Sequence, residues 1–287
     1  MAPAAFRIQA FDGISLAAWR WPAVRPRAIL QIAHGMGEHA LRYAPLAAKL
    51  VAAGYAVYAN DHRGHGATAP NAGSLGDFGP AGFDGVVDDL GIVMAAAREE
   101  HPGLPVILLG HSMGSFAAQY FALDRSTEID GLVLSGSSAL DMLAAEMADL
   151  SAVKLDEAFN APFQPARTPF DWLSRDNAEV DKYIADKLCG FTVNPAGLAS
   201  IFAGAARTIA PASVRSGLPI LVLSGEDDPL NAKLTLANLL ADRYRETGVK
   251  NVETQFYPGG RHEMFNETNK DEVVANLIAW LNRVTAG

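Results

Sequence analysis

The chain has 287 residues, a formal net charge of −9 and one cysteine. A chain of this length can bury a core that needs neither disulfides nor metal ions to fold. The acidic balance, without any block rich in lysine and arginine, argues against nucleic acid as a partner and against a polybasic membrane anchor.

The sequence shows no evident targeting segment. Its first residues lack the basic and then apolar layout of a secretory signal peptide. No apolar stretch approaches the roughly 18 residues that a membrane-spanning helix needs. The lone cysteine, Cys189, cannot form an internal disulfide, which suits a reducing compartment. We therefore expect a cytoplasmic protein without a transmembrane segment.

Strand-like and helix-like segments alternate along most of the chain, which is typical of a largely parallel sheet covered by helices on both faces. In chain order, the apolar patterns predict strands at residues 14–21, 28–33, 55–59, 106–109, 132–135, 220–224 and 252–257. They predict helices at residues 42–53, 83–100, 113–123, 230–247 and 270–284.

One region interrupts this alternation between the predicted strands at 132–135 and 220–224. It lacks a clear buried strand over a length far beyond ordinary connections, and it contains amphipathic stretches at 142–150, 180–188 and 198–209. We predict a helical cap at 139–215, inserted into a core domain formed by 1–138 and 216–287. Loops at the carboxyl ends of parallel strands are where ligands usually bind.

The junction Gly110-His111-Ser112-Met113-Gly114 has the pattern G-x-S-x-G and follows the apolar run at 106–109. A turn this tight between a strand and a helix strains the backbone of its central residue and leaves no room for flanking side chains. It would hold the Ser112 hydroxyl clear of the sheet, above a helix N-terminus that favours negative charge. The pattern predicts Ser112 as a nucleophile.

A serine nucleophile needs a general base, usually a histidine that a carboxylate orients. With this type of elbow the chain order is serine, acid and then histidine. Of the seven histidines, only His262 follows Ser112, and it lies in a glycine-containing turn before the last predicted helix. We therefore predict His262 as the base.

Three carboxylates compete for the role of the acid, because Glu226, Asp227 and Asp228 all follow the predicted strand at 220–224. A carboxylate at the carboxyl end of this strand can reach His262. We favour Asp228, since Gly-x-x-Asp is the usual layout at this turn, and keep Asp227 as the alternative. Glu226 is expected to be a solvated loop residue.

Acyl transfer also requires hydrogen-bond donors for the negatively charged oxygen of the tetrahedral intermediate. One donor is expected to be the backbone N–H of Met113, the residue after the nucleophile. The other is expected to be the N–H of Met36, in the glycine-containing loop at 34–39 that follows an early strand.

A metal site at His62-x-x-His65 is disfavoured, because no further ligand with zinc-type spacing lies nearby and the glycines suit a turn. Cys189 has no histidine near it in sequence and is expected to be a small, partly buried residue. We predict neither a metal nor a cofactor.

With the elbow, acid, histidine and oxyanion loop in this order, the chain resembles the α/β-hydrolase superfamily over nearly its full length. Segments 34–43, 61–66 and 110–114 are similar to the monoacylglycerol lipase and lysophospholipase-like branch, and residues 173–189 are similar to a cap segment of that branch. A departure is Lys187, where that branch often has proline. The resemblance implies an α/β-hydrolase fold, with a mostly parallel sheet of about eight strands flanked by helices.

The same resemblance implies hydrolysis of an ester with a medium or long acyl chain, shielded by the cap. It also implies that Glu38 and Arg42 help to hold a polar alcohol head group. From spacing alone, this pair is equally a solvated pair four residues apart at a helix start.

The expected function is hydrolysis of lipid-type carboxyl esters through an acyl-enzyme, with transient contact between the cap and a membrane surface left open. A lysophospholipase and a short-chain carboxylesterase are the close alternatives. A binding protein that retains the fold without catalysis, and another cofactor-free reaction on this scaffold, are the remote ones.

Overall fold

The computed structural model describes residues 2–149 and 155–286. Within them, eight strands form one sheet in the order β1-β2-β4-β3-β5-β6-β7-β8. The strands are β1 (Ala4–Gln9), β2 (Ser15–Trp21), β3 (Ala28–Ala33), β4 (Tyr55–Asn60), β5 (Val106–His111), β6 (Gly131–Ser135), β7 (Ile220–Gly225) and β8 (Val252–Tyr257). β1 pairs antiparallel with β2 and β2 antiparallel with β4, whereas β3 to β8 run parallel.

The described residues form nine α-helices. They are α1 (Ala44–Ala52), α2 (Gly82–Glu100), α3 (Met113–Arg125), α4 (Leu140–Asp149), α5 (Leu155–Asn160), α6 (Asn177–Ala185), α7 (Pro195–Ala203), α8 (Thr235–Glu246) and α9 (Lys270–Val284). Helices α2, α3 and α8 contribute to the apolar core on one face of the sheet, and α1 and α9 to the core on the other. The predicted fold class is confirmed.

Strand β5 shows why the central strands are apolar without alternation. Val106 and Leu108 face the core that includes α2, α3 and α8, whereas Ile107 and Leu109 face the core that includes α1 and α9. All four are fully buried. A strand covered on both faces must be apolar at successive positions, and each such side chain contributes about 1.5–3 kcal/mol by leaving water.

Outside the insertion, the structure differs most from the predicted elements at three places. Strand β1 was not predicted, because it lies at the sheet edge and most of its side chains remain exposed. Helix α1 starts at Ala44, after a 3₁₀ turn at Ala40–Tyr43. Helix α8 starts at Thr235 instead of residue 230, because residues 232–234 all have positive φ, a left-handed conformation that a right-handed helix excludes.

The described residues between β6 and β7 contain helices α4 to α7 and no strand. Helix α4 overlaps the predicted amphipathic stretch at 142–150, whose last residue, Leu150, lies outside the described residues. Helix α6 overlaps the stretch at 180–188, and α7 with the 3₁₀ turn Ala205–Thr208 covers most of the one at 198–209. The helix α5 was not predicted. The cap boundaries at 139 and 215 stay a prediction.

Among the described helices, none combines the length and the apolar character that crossing a bilayer requires.

Candidate active site

A cavity lies between the carboxyl ends of the central strands and the inserted helices. Its volume is about 950 Å³, including the part that is open to solvent. Ser112, His262 and Glu38 line it together with Met36 and Met113. Most of its remaining wall is apolar or aromatic: Phe116, Leu143, Met147, Phe159, Phe170, Trp172, Leu173, Tyr183, Phe191, Ile201, Phe202 and Leu230. A mostly apolar wall with a few polar groups is typical of sites that bind small organic ligands.

The predicted elbow has the strained geometry that its sequence indicates. Ser112 has φ 51° and ψ −124°, a backbone conformation that residues other than glycine rarely adopt. A β-carbon on Gly110 would lie 2.4 Å from the carbonyl oxygen of Gly114, and one on Gly114 would lie 2.2 Å from that of Ala33. The Ser112 N–H donates to the carbonyl of Ser135 at 2.9 Å, which ties the elbow to β6.

His262 and Asp228 form a buried pair. The His262 Nδ1 lies 2.9 Å from Asp228 Oδ2, and the two side chains are only 2% and 0% exposed. The Leu230 N–H donates to Asp228 Oδ1 at 3.0 Å, and the Asn231 amide donates to Oδ2 at 3.2 Å. These donors orient the carboxylate, so Nδ1 of His262 carries the proton and Nε2 is available as an acceptor.

The alternative acids lie elsewhere on the same turn. Asp227 forms an exposed ion pair with Lys233, and the Glu226 carboxylate accepts a hydrogen bond from the Gly259 N–H at 3.4 Å. A β-carbon on Gly225 would lie 2.1 Å from the carbonyl oxygen of Gly260, so the β7 turn packs directly against the loop before His262. The structure thus brings Asp228, and neither neighbour, to His262.

The surroundings of His262 favour its protonated form. Burial by itself would lower the pKa of His262, but the charge and hydrogen bond of Asp228, with smaller contributions from the charges of Glu263 and Glu38, raise it above the ordinary value. The His111 ring lies 4.8 Å from the His262 ring and the Trp172 ring 5.0 Å, measured between centroids. Burial holds the pKa of His111 at about 4, so this second histidine is neutral at neutral pH.

The loop that contains Met36 has two of its N–H groups occupied. The Gly35 N–H donates to Glu38 Oε1 at 2.6 Å, and the Gly37 N–H donates to His65 Nε2 at 3.3 Å. Between them lies Met36, which lines the cavity with Met113. Met113 is the first residue of α3, so its N–H belongs to the helix N-terminus, where backbone donors lack intrahelical partners.

Three buried histidines hold this loop. The His34 Nδ1 donates to the carbonyl of Gly35 at 2.7 Å, and its Nε2 accepts from the His62 N–H at 2.9 Å. The His65 Nδ1 donates to the carbonyl of Arg63 at 2.8 Å. Burial lowers the pKa of His34 strongly, that of His62 to about 3 and that of His65 to about 4. All three rings are therefore neutral. Those of His34 and His65 act through hydrogen bonds, whereas the His62 ring packs against that of His34, with 4.1 Å between the ring centroids, and neither of its nitrogens is hydrogen-bonded to a described residue.

Glu38 and Arg42, predicted to bind a head group, belong to a buried cluster with Glu263. Arg42 donates through Nη1 to Glu38 Oε2 and Glu263 Oε1, both at 2.6 Å, and through Nη2 to Glu263 Oε2 at 2.8 Å. Glu38 Oε1 also accepts from the Tyr43 hydroxyl at 2.8 Å. Arg42 lowers the pKa of Glu263, although burial opposes this effect. We call these three residues the carboxylate–guanidinium cluster.

Glu263 was not identified from the sequence. Its position directly after His262 was the available signal, but the side chain that pairs with it, Arg42, lies 221 residues away in the chain. Glu263 and Glu38 line the cavity, whereas the Arg42 side chain is 11% exposed and stacks over the Tyr183 ring at 4.8 Å.

Within the part of the chain that the structure describes, one group of side chains could offer metal ligands. Atoms of His39, Asp186 and Cys189 all lie within 4.8 Å of one another. The His39 Nε2 and Asp186 Oδ2 are already paired at 2.9 Å, and burial raises the pKa of the Cys189 thiol, which disfavours the thiolate that binds metals. We assign no metal here, and the expectation of neither metal nor cofactor stays a prediction.

The family model described as serine aminopeptidase, S33, matches residues 24–269. A monoacylglycerol lipase from Mycolicibacterium smegmatis is 32% identical over 262 residues, which cover 91% of this chain and 90% of that protein. A monoglyceride lipase homolog from Monkeypox virus is 29% identical and covers 93% of each chain. The crystal structure of a highly thermostable carboxyl esterase from Bacillus coagulans in complex with glycerol has a TM-score of 0.87 and 31% sequence identity, over 100% of both chains.

These similarities extend across the sheet, the insertion and the loops that line the cavity. They confirm the predicted resemblance to monoacylglycerol lipases and the predicted hydrolase fold. The chain belongs to the serine aminopeptidase S33 family, and it has the α/β-hydrolase fold.

Proposed function

We propose that this protein is a serine carboxyl-ester hydrolase that cleaves lipid-type esters, such as monoacylglycerols, through an acyl-enzyme intermediate. The observation that carries the proposal is that one largely apolar cavity is lined both by Ser112 at a strained elbow and by His262, whose Nδ1 is bound to a buried Asp228. The names of the relatives, a monoacylglycerol lipase and a carboxyl esterase, support the same reaction class.

In the proposed mechanism, Ser112 Oγ attacks the ester carbonyl carbon and transfers its proton to Nε2 of His262. The tetrahedral intermediate then expels the alcohol, which takes that proton from His262 and leaves an acyl group on Ser112. Water, activated in turn by His262, attacks the acyl group and releases the carboxylic acid. Asp228 keeps the ring oriented and stabilises its protonated form, which agrees with the raised pKa of His262.

We assign the stabilisation of the oxyanion to the N–H groups of Met36 and Met113. The N–H groups on either side of Met36 are occupied by Glu38 and His65, so the loop is held with the Met36 N–H left to serve a ligand. Met113 adds the donor of a helix N-terminus, where developing negative charge is favoured. Donors that are positioned before the reaction cost no reorganisation during it.

The acyl chain is assigned to the apolar part of the cavity, where most of the apolar lining side chains come from described residues of the proposed cap at 139–215. Side chains from α4, α5 and α7, including Met147, Phe159 and Phe202, line this part. Each methylene group that is buried there contributes about 0.8 kcal/mol. A medium or long acyl chain therefore binds better than acetate, until the cavity is full.

Three measurements test this function. A fluorophosphonate probe should label the folded protein and fail to label its Ser112→Ala variant. In a series of 1-acylglycerols, kcat/KM should rise about fourfold per methylene group at first. A maximum at two to four carbons would contradict the lipase assignment and leave the esterase mechanism intact. Faster cleavage of an amino-acid 4-nitroanilide, which the family description makes a necessary control, would contradict ester hydrolysis as the main activity.

We infer further that the protein acts in the cytoplasm and contacts membrane surfaces transiently through the cap. Exposed apolar side chains of this segment support the contact, with Met142, Ile184 and Leu188 at 42%, 46% and 38% exposure. Binding to phosphatidylcholine vesicles should weaken in an Ile184→Glu, Leu188→Glu double variant. Equal vesicle binding by the variant and the unchanged protein would contradict this contact.

A further inference from the structure

Four consecutive residues, Ser135-Gly136-Ser137-Ser138, comprise the last residue of β6 and the start of the segment that follows it. We call residues 135–138 the β6 loop. All four are buried, and none of them is among the described residues that line the cavity. A buried hydroxyl without a hydrogen bond is costly, so the partners of these serines show what the loop holds in place.

The first contacts of the β6 loop hold the backbone of Ser112. The Ser112 N–H donates to the Ser135 carbonyl at 2.9 Å. The Ser115 Oγ lies 2.6 Å from the Ser112 carbonyl oxygen and 2.7 Å from Ser137 Oγ. Gln119 Nε2 donates to Ser137 Oγ at 3.0 Å. An amide nitrogen only donates and a carbonyl oxygen only accepts, so Ser137 donates its proton to Ser115, and Ser115 donates its own to Ser112.

The next residue of the loop, Gly136, lies against His262. Gly136 has a φ of +55°, and a β-carbon on it would lie 3.0 Å from Cε1 and 3.1 Å from Nδ1 of His262. The same β-carbon would lie 3.0 Å from Cε1 of His111. Only glycine combines this left-handed backbone with so close an approach to the two rings. The backbone of the β6 loop therefore limits where the His262 ring can lie.

The last residue of the loop, Ser138, holds the turn that contains Asp228. The Ser138 hydroxyl donates to the Leu230 carbonyl at 2.9 Å, and the N–H of the same leucine donates to Asp228 Oδ1 at 3.0 Å. The carbonyl of Ser138 accepts from Gln119 Nε2 at 3.3 Å. Through Leu230, Ser138 thus acts on the orientation of the Asp228 carboxylate, and through Gln119 it is joined to the contacts that hold Ser112.

The β6 loop connects groups whose relative positions no local segment of the chain can set. Ser112 follows β5, Asp228 follows β7, and His262 follows β8. Nucleophilic attack and proton transfer require close alignment, and a displacement of about 1 Å can lower a rate by about 10²-fold. One buried segment that contacts all three parts of the chain is suited to maintain this alignment.

We propose that the β6 loop positions Ser112, His262 and Asp228 relative to one another, with Ser137 and Ser138 as positioning residues for the reaction. The inference rests on the proposed ester hydrolysis and adds residues that act through its nucleophile and its acid. Neither serine lines the cavity. Loss of either hydroxyl should therefore lower kcat and leave KM nearly unchanged.

The test measures kcat per active site in Ser137→Ala and Ser138→Ala, with 1-octanoylglycerol as substrate. Active sites are counted by labelling with a fluorophosphonate to completion, so inactive protein does not enter the rate. We expect kcat per labelled site to fall by about three- to tenfold in each variant, with KM within about twofold of normal. Loss of stability alone would lower the labelled fraction and leave kcat per labelled site unchanged, and this result in both variants would overturn the proposal.

The matched control is Ser126→Ala, the same substitution at the other end of β6. Ser126 is 5% exposed, its Oγ accepts from the Arg215 N–H at 3.1 Å, and it is not among the described residues that line the cavity. Its kcat per labelled site should stay within about twofold of normal. A loss in Ser126→Ala as large as in Ser138→Ala would mean that any buried hydroxyl near β6 has this effect, and would overturn the proposal.

A double variant tests the direction of the hydrogen bonds that lead to Ser112. Ser115→Ala and Ser137→Ala interrupt the same chain of donors, so the combined variant should lose no more kcat than the more affected single variant, because residues in one network are not additive. Losses that multiply fully would show that Ser137 does not act through Ser115, and would overturn its assignment as a positioning residue.

The rate of labelling separates this inference from the proposed function. If the unchanged protein hydrolyses no ester, the function is wrong, and slower fluorophosphonate labelling of Ser112 in the Ser137→Ala and Ser138→Ala variants, but not in Ser126→Ala, still supports the positioning role. If it hydrolyses esters and these two variants match it, only the positioning proposal is wrong. Should an alanine variant not fold, the cysteine variant at that position, similar in size with a weaker donor, takes its place.

Discussion

The loops of the sheet and the helices of the insertion line the same cavity, but they contribute different chemistry. The loops supply polar atoms whose partners are specified, such as His262 bound to Asp228 and Gly35 bound to Glu38. The insertion supplies mainly apolar side chains, including Phe159, Trp172 and Phe202. In the proposed mechanism, the reaction therefore depends on a few fixed atoms of the core, whereas the fit of the acyl chain depends on a surface that many side chains share.

The two regions meet at the loop at residues 34–39 and at the loop that contains His262. The carbonyl of Gly37 accepts from the Tyr183 hydroxyl and from the Gly190 N–H, both at 2.9 Å. The carbonyl of Leu173 accepts from the Glu263 N–H at 2.7 Å. The insertion thus also holds two backbone segments of the core. Substitutions in the insertion are therefore expected to change substrate binding strongly and the chemical step slightly.

The largest effect is expected in the core, at Ser112. Replacing Ser112 with alanine removes the proposed nucleophile, so kcat should fall by about 10⁴-fold or more. The measurement is hydrolysis of a monoacylglycerol, with thermal unfolding to verify the fold. A variant that keeps near-normal activity would show that another residue carries the reaction.

The acid is tested by a matched pair of substitutions on one turn. Asp228→Asn leaves a similar shape but no charge for the His262 ring, so kcat should fall by about 10³- to 10⁴-fold. Asp227→Asn alters only an exposed ion pair with Lys233, and its kcat should stay within about twofold of normal, because such pairs are worth little. The reverse order of effects would exchange the two roles.

The pH profile tests the charge that the core places around His262. The base must be neutral, and the pKa of His262 is raised, so activity should begin to fall at a pH above the ordinary histidine value of about 6.5 and decrease about tenfold per unit below it. Glu263→Gln removes a neighbouring negative charge and should move the midpoint to lower pH. A flat kcat/KM profile between about pH 5 and 8 would count against His262 as the base.

In the insertion, Phe159→Ala should act on the acyl chain alone. Loss of the Phe159 ring from the cavity wall should lower kcat/KM for a long-chain monoacylglycerol by about tenfold. This is the cost expected when one or two methylene groups of the acyl chain lose their buried contacts. Hydrolysis of an acetate ester should stay within about twofold, because its acyl group does not reach that wall. Equal losses for both esters would mean that the insertion controls the chemistry as well.

The smallest effect is expected where the two regions touch. Tyr183→Phe removes one of the two donors to the Gly37 carbonyl and retains the ring over Arg42. The net value of such a hydrogen bond is about 0.5–1.5 kcal/mol, so kcat should fall by about two- to tenfold with little change in KM. A change confined to KM would assign Tyr183 to substrate binding instead.

Local patterns in the sequence predicted the fold class, because alternating apolar segments and glycine-flanked turns depend on neighbours in the chain. The elbow is such a case, since the glycines on either side of Ser112 are needed where backbone atoms would lie 2.2–2.4 Å from a β-carbon. The edge strand β1 and the start of α8 were not predicted. One is mostly exposed, and the other follows three left-handed residues that no simple pattern signals.

Chain order and local pattern by themselves determined seven of the eight strands, the elbow at Ser112 and the choice of His262 among seven histidines as the candidate base. Only the tertiary structure decided that Asp228 and not Asp227 faces His262, because the packing of Gly225 against Gly260 sets the direction of that turn. It also placed Arg42 outside the cavity wall, because Arg42 donates hydrogen bonds to Glu263, which lies 221 residues away in the chain. Contacts between such distant segments depend on how the whole chain packs, and no local pattern of residues records them.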